Sequence, residues 1–284
     1  MTRYVYATTL IFALAVACAP PDSSESDEAW IAFRESARRS SPEGEYFLVE
    51  WDLGLSESLL HDYYQSTVAG GGQGVVEAEL TVNLNGSSDD IWSRQDALDL
   101  KYCVSTGFGS NYARAVDEME NATSSWMRIA NVRFTHVTSA DSTCTTSNSS
   151  VDFPVTPWAM GGACSFGPSG GGCVAGTLVM DFNDFDTNPA YSTLSPNLTT
   201  TGVFRHELGH ILGFRHEQVR PEAWAAGCPT ENSSWRALTP YDMASVMHYP
   251  WCNGVTASDM MLTREDQVGA VLEYRLSAAI VAGL

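Results

Sequence analysis

The alternation of apolar and polar residues divides the chain into stretches of different character. After Arg3, residues Tyr4 to Ala17 form an almost unbroken apolar run ending in Leu14-Ala15-Val16-Ala17-Cys18, the anatomy of a secretory signal peptide. That run is too short for a permanent membrane helix, and no other run, the tail Ala278 to Leu284 included, approaches the ~20 apolar residues one needs. Pro20 to Glu28 is polar and acidic, the composition of a linker. Trp30 to Tyr64 carries an amphipathic piece, a strand-like run at Tyr46 to Trp51 and a helical pattern around Leu59, Tyr63 and Tyr64, and it ends in the glycine-rich turn Ala69 to Gly74. From Ile91 the character changes. The pattern predicts a strand at Lys101 to Val104, then a helix with Tyr112, Ala115, Val116, Met119 and Trp126 on one face. It predicts further strands at Val132 to Val137 and Thr177 to Phe182, and a second long helix from Thr200 to Leu212 with threonines as N-caps. Strands mixed with two long helices indicate an α+β domain. The division that follows is signal peptide 1–18, linker and prosegment 19–90, main domain 91–276 and tail 277–284.

Composition narrows this picture. Fifteen Lys plus Arg against 34 Asp plus Glu give a net charge of -19, which argues against a nucleic-acid partner. The acidity has two readings, solubility of an exported protein or a cleft that prefers basic or neutral peptides. With 44% hydrophobic and 17% charged residues, there is enough apolar material for a substantial core. Of the seven cysteines, removal of Cys18 leaves an even set suited to disulfides in an oxidising compartment. Proximity suggests Cys103 with Cys144, Cys164 with Cys173, and Cys228 with Cys252. The stretch around Cys18 resembles a bacterial lipoprotein lipobox, which implies acylation of Cys18, while Ala15-Val16-Ala17 equally suits ordinary signal peptidase. Both routes place the mature protein outside the cytoplasm, as a secreted protein or an outer-surface lipoprotein. Contact with a membrane is expected only through a lipid on Cys18.

Candidate chemistry is concentrated in His206-Glu207-Leu208-Gly209-His210-Ile211-Leu212-Gly213-Phe214-Arg215-His216-Glu217. On a helix, His206 and His210 project from one face a turn apart and can share one metal ion. Gly213 can take a positive φ, end the helix and return His216 toward the same ion. Three imidazole nitrogens leave a coordination position for water, the catalytic rather than the structural pattern of zinc. Glu207, beside the metal rather than on it, is placed as general base for attack on a peptide carbonyl.

These residues match the metzincin zinc signature, and Tyr241-Asp242-Met243-Ala244-Ser245-Val246-Met247-His248-Tyr249 resembles the methionine turn of that group in its astacin form. Phe214, Glu217 and Gln218-Val219-Arg220-Pro221 are likewise astacin-like. The resemblance, broadly Trp92 to Tyr274, is to secreted bacterial metzincin peptidases related to astacins and matrixins. It implies a zincin-type α+β domain with a twisted mixed sheet, long helices and an irregular C-terminal part. It further implies one Zn2+ per chain, a protein or peptide substrate paired along an edge strand, and a monomer. Met247 becomes a hydrophobic floor under the metal, and Tyr249 a fifth ligand that swings away to stabilise the transition state. Glu217 is implied to anchor a domain terminus or a neighbouring loop, the alternative being a surface charge. The chain departs from the family at its start. It lacks the Phe-x-Gly-Asp string of astacin propeptides, and no cysteine between Cys18 and Cys103 supplies a cysteine switch. Two rival functions remain, a non-catalytic zinc-containing surface lipoprotein and a narrow-substrate amide hydrolase. Asp181, Asp184 and Asp186 lack the EF-hand pattern and read as a polar loop. His136 and His248 read as structural or solvent-facing, and His61 as outside the main domain.

Overall fold

The structure, a computed structural model, describes residues 23–41, 44–49, 53–55, 57, 60–61, 64, 79–157, 162–164, 177–223, 228, 234–256 and 258–275. Cys18 and the signal segment, the glycine run at 69–74, the Cys164–Cys173 pairing and the tail 277–284 lie outside the described residues.

The polar stretch read as a linker is helical from Ser23 onward. Helix α1 (Ser23–Ala37) is followed by strands β1 (Arg38–Ser41), β2 (Gly44–Val49) and β3 (Leu53–Leu55), which form an antiparallel sheet. Ala37, Phe47, Leu60 and Tyr64 are buried here, and Trp30 and Phe33 lie 5.3 and 5.2 Å from the Tyr64 ring, so this unit has a small core of its own.

Strands β4 (Glu79–Asn85) and β5 (Ser88–Asp89) form a hairpin. β6 (Leu100–Val104) precedes helix α2 (Tyr112–Met127), and β7 (Phe134–His136), β8 (Phe153–Pro157), β9 (Gly162–Cys164) and β10 (Thr177–Met180) follow. These strands build a sheet of order β7-β6-β8-β10-β9, parallel except for antiparallel β9 at its edge. An otherwise parallel sheet carrying one antiparallel edge strand is a common mixed arrangement. The strands at Val132–Val137 and Thr177–Phe182 are shorter than their patterns suggest, since Phe182 already begins helix α3 (Phe182–Thr187) under the cap of Asp181.

After α4 (Pro189–Leu194), helix α5 (Thr200–Ile211) starts where Thr199 Oγ1 accepts from the Gly202 N–H at 3.0 Å. The face of α2 made by Ala115, Met119, Ala122 and Trp126 is buried, and α2 packs against α5. The Trp126 indole donates to the Arg205 carbonyl at 2.9 Å and stacks on Phe214 at 5.6 Å, locking the two helices together. Strands β11 (Phe214–Arg215) and β12 (Trp235–Thr239) both pair antiparallel with β4. Residues 79–90, grouped by sequence with the prosegment, are therefore built into the main domain beside its metal motif. Helix α6 (Arg264–Tyr274) closes the fold, its N-terminus held by a Thr263–Asp266 capping box. The observed class is α+β.

Disulfides join Cys103 to Cys144 and Cys228 to Cys252, as proximity suggested. Among the described residues, no helix is long and apolar enough to cross a membrane.

Candidate active site

Helix α5 is buried on nearly all sides, with His206, Glu207 and His210 each under 4% exposed. Its end is set by Gly213 at φ +94°, where an added Cβ would meet the Asp90 carbonyl oxygen at 2.3 Å. That turn feeds β11, and His216 emerges from it fully buried, its Nε2 3.2 Å from Nε2 of His210. The ligand atoms of His206, His210 and His216 all lie within 4.8 Å of one another. Nδ1 of His206 meets the Val246 carbonyl and Nδ1 of His210 the Phe214 carbonyl, each at 2.7 Å. An imidazole whose Nδ1–H donates to a carbonyl presents its Nε2 lone pair, the state a metal ligand needs. Zn–N bonds of about 2.0–2.1 Å at a tetrahedral angle place ligand nitrogens roughly 3.3 Å apart, so the His210–His216 spacing suits one zinc ion. The three histidines can bind one zinc.

Met247 is fully buried, and an added Cβ on Gly209 would come within 2.3 Å of its sulfur. Glycine between the two helical histidines therefore lets the methionine lie against the helix. Tyr249 is 2% exposed, its ring 4.5 Å from the His216 ring and 5.7 Å from that of His206.

Several further residues support this centre. Glu217 is fully buried, which removes the surface-charge alternative. Its backbone N–H donates to the Met247 carbonyl at 2.8 Å, while Oε1 accepts from the Asp242 N–H at 3.3 Å and pairs with Arg220 at 3.4 Å. It thus ties the third histidine's strand to the 241–249 loop. Asp266 is 1% exposed and accepts from Ser245 Oγ at 2.6 Å and the Val246 N–H at 2.8 Å, and burial pushes its carboxyl above the ordinary range. Val246 in turn holds His206, so one aspartate serves both a helix cap and a ligand's support. The only sequence signal for it is the Thr-x-x-Asp spacing of the cap. Gln218 Oε1 accepts from the Tyr249 N–H at 3.0 Å.

His248 is structural. Burial holds its imidazole down to about 4, so it is neutral, with Nδ1 3.0 Å from the Tyr249 carbonyl and Nε2 2.8 Å from the Tyr241 hydroxyl. His136 ends strand β7, 3.0 Å from buried Asp141, and His61 is exposed against Trp30. Asp181 caps α3, Asp184 accepts from Tyr191 and Asp186 pairs with Arg114 at 2.7 Å, which gives each aspartate a structural partner.

No model of a known protein family matches the sequence. Three curated proteins do match over one short stretch. Zinc metalloproteinase nas-30 of Caenorhabditis elegans is 39% identical over 64 residues, covering 17% of this chain and 9% of that protein. High choriolytic enzymes 1 and 2 of Oryzias latipes are each 36% identical over 62 residues, again 17% of this chain and 23% and 22% of theirs. The chain resembles astacin-type zinc metalloproteinases. The stretch it shares with each of these relatives is less than a quarter of that relative's length. A solved structure of high choriolytic enzyme 1, a hatching enzyme zinc-protease from Oryzias latipes, aligns with TM-score 0.42 and 18% identity, covering 69% of this chain and 99% of that one. What is astacin-like in the sequence, the three histidines and the methionine turn, is drawn together here into one buried centre.

Proposed function

We propose that this chain is an exported zinc metalloendopeptidase. The observation that carries the reading is the convergence of three buried imidazoles, two of them with Nδ1 committed to a carbonyl, next to a buried glutamate. His206, His210 and His216 would hold the ion, which supplies Lewis-acid polarisation of the scissile carbonyl and activation of water. Glu207 takes the proton from the attacking water and returns it to the leaving amine. The Tyr249 hydroxyl donates to the oxygen on which charge develops. Edge strand β9 runs beside α5, so an extended peptide can pair with it through its backbone as it passes the histidines.

The N-terminal unit acts as a prosegment in this reading, because β3 lies against β9, the edge strand such a peptide would use. Since β4 is part of the main domain, release requires a cut before Glu79 rather than near residue 90. Export follows from the apolar leader, with Cys18 either acylated or removed with it.

The test is zinc content together with casein or gelatin cleavage by protein starting at Ala19, before and after limited proteolysis. About one zinc per chain, cleavage abolished by a chelator, and a loss of 100-fold or more in Glu207→Ala with zinc retained are the expected results. Near-normal cleavage by Glu207→Ala would overturn the mechanism, and full activity of the uncut form would overturn the prosegment.

A further inference from the structure

Tyr249 is packed against a residue outside both sequence motifs, Trp251. Tyr249 has its main chain fixed on both sides. Gln218 Oε1 accepts from its N–H at 3.0 Å, and its carbonyl oxygen accepts from the Cys252 N–H at 3.0 Å and faces His248 Nδ1 at 3.0 Å. Only the side-chain torsions are left to carry the ring. That ring meets the imidazoles of His216 and His206 and also stacks on Trp251, with centroids 4.8 Å apart and planes 19° from parallel.

Trp251 is itself held in that position by covalent structure. The Cys252 N–H to Tyr249 carbonyl bond closes a four-residue turn, Tyr249-Pro250-Trp251-Cys252, with proline at the second position, where its fixed φ suits such a turn. The turn folds the indole back over the phenol. Cys252, the last residue of the turn, is bonded to Cys228, so the turn is anchored to a segment outside the methionine loop. Trp251 is partly exposed, whereas Tyr249 is buried, so the indole forms the outer layer of the stack. Movement of the phenol away from the imidazoles has to break or drag this stack.

We propose that Trp251 is a positioning residue for Tyr249. Its indole, held by the Pro250 turn and the Cys228–Cys252 disulfide, sets the balance between the phenol resting against the metal-binding imidazoles and the phenol swung away. This rests on the reading of the histidines as a metal site at which Tyr249 acts. An offset aromatic stack shifts such a balance by about 2- to 10-fold.

The full chain carrying Cu(II) in place of zinc gives a readout independent of turnover, because a phenolate oxygen on copper produces a visible charge-transfer absorption. The parent should show this band and Tyr249→Phe should lose it. Trp251→Leu, which keeps apolar volume but removes the stack, should lower the band by about 2- to 10-fold and change kcat more than KM, while zinc affinity stays at the parental value. Trp251→Phe should recover most of the band, which a purely space-filling role would not explain. If Trp251→Leu keeps the parental band and kcat while Tyr249→Phe loses both, the positioning role is wrong and the role of Tyr249 stands. If the parent shows no band although copper is bound, the phenol does not reach the metal and both ideas fall. A variant that binds copper with parental affinity has kept its site, which separates a lost stack from a lost fold.

Discussion

The five-stranded sheet with α2 and the stretch from α5 to α6 both bury side chains, but with different chemistry. In the first, Leu100, Val104, Phe153, Val155, Leu178 and Met180 share an apolar cluster with Met119 and Trp126, and the buried polar residues there are the uncharged Thr123, Ser125 and Thr177. In the second, Arg205, His206, Glu207, His210, Arg215, His216, Glu217, Gln218, Arg220, Ser245, His248 and Asp266 are all buried. Apolar contacts are non-directional and tolerate a change of shape at modest cost. Buried polar groups hold only where partners stand at bonding distance, so they fix position tightly and fail sharply. The first region supplies stability without much constraint on where a side chain points. The second gives up some of that tolerance to aim particular nitrogens and oxygens.

The comparison can be pressed hardest at Arg220. Arg220→Met keeps volume but removes the guanidinium that pairs with the buried Glu217 carboxylate, which is expected to cost about 3–5 kcal/mol in a denaturant melt and to weaken zinc binding in a chelator competition. Unchanged zinc affinity would mean that this cluster is scaffold only. Next in size are the disulfides, which close separations of 41 and 24 residues and should each contribute about 3–4 kcal/mol. Replacing Cys103 and Cys144 by alanine should lower stability alone, whereas replacing Cys228 and Cys252 should also reduce kcat; equal effects on kcat would erase the contrast. Zinc at about 100 times its Kd should add about 2.7 kcal/mol, a rise in Tm of roughly 5–10 °C. Hydrogen exchange should show that protection concentrated in α5 and 241–249, with β6, β8 and β10 little changed. The smallest effect is expected from Phe153→Leu, at about 1 kcal/mol with zinc affinity and turnover unaltered, because the sheet core can repack. A loss of metal binding in that variant would show the two regions to be one cooperative unit.

The elements that were legible from the sequence are those whose signal is periodic or local. The face of α2 at Ala115, Met119 and Trp126, the β6 strand and the Thr199-capped zinc helix follow from spacing and capping chemistry alone. The helix at Ser23 was hidden by an acidic, linker-like composition, and β4 was hidden because, apart from the two-residue β5, its pairing partners lie more than a hundred residues later. The same limit applies within the site. His206, Glu207, His210, Gly213 and His216 are readable because one helical turn and one glycine relate them. The supporting contacts of Asp266, Gln218 and Trp251 are not, since each reaches the site through another residue's main chain or ring.

The sequence by itself determined the metal chemistry, because helical periodicity places His206 and His210 on one face and only a residue free to take positive φ at 213 can return His216 to them. The tertiary structure alone decided what holds those groups in place. The carbonyl of Val246 orients His206, Glu217 joins β11 to the methionine loop, and β3 lies against the edge strand β9. Such partners are brought together by folding rather than by spacing along the chain, and no local pattern encodes a hydrogen bond between residues forty positions apart.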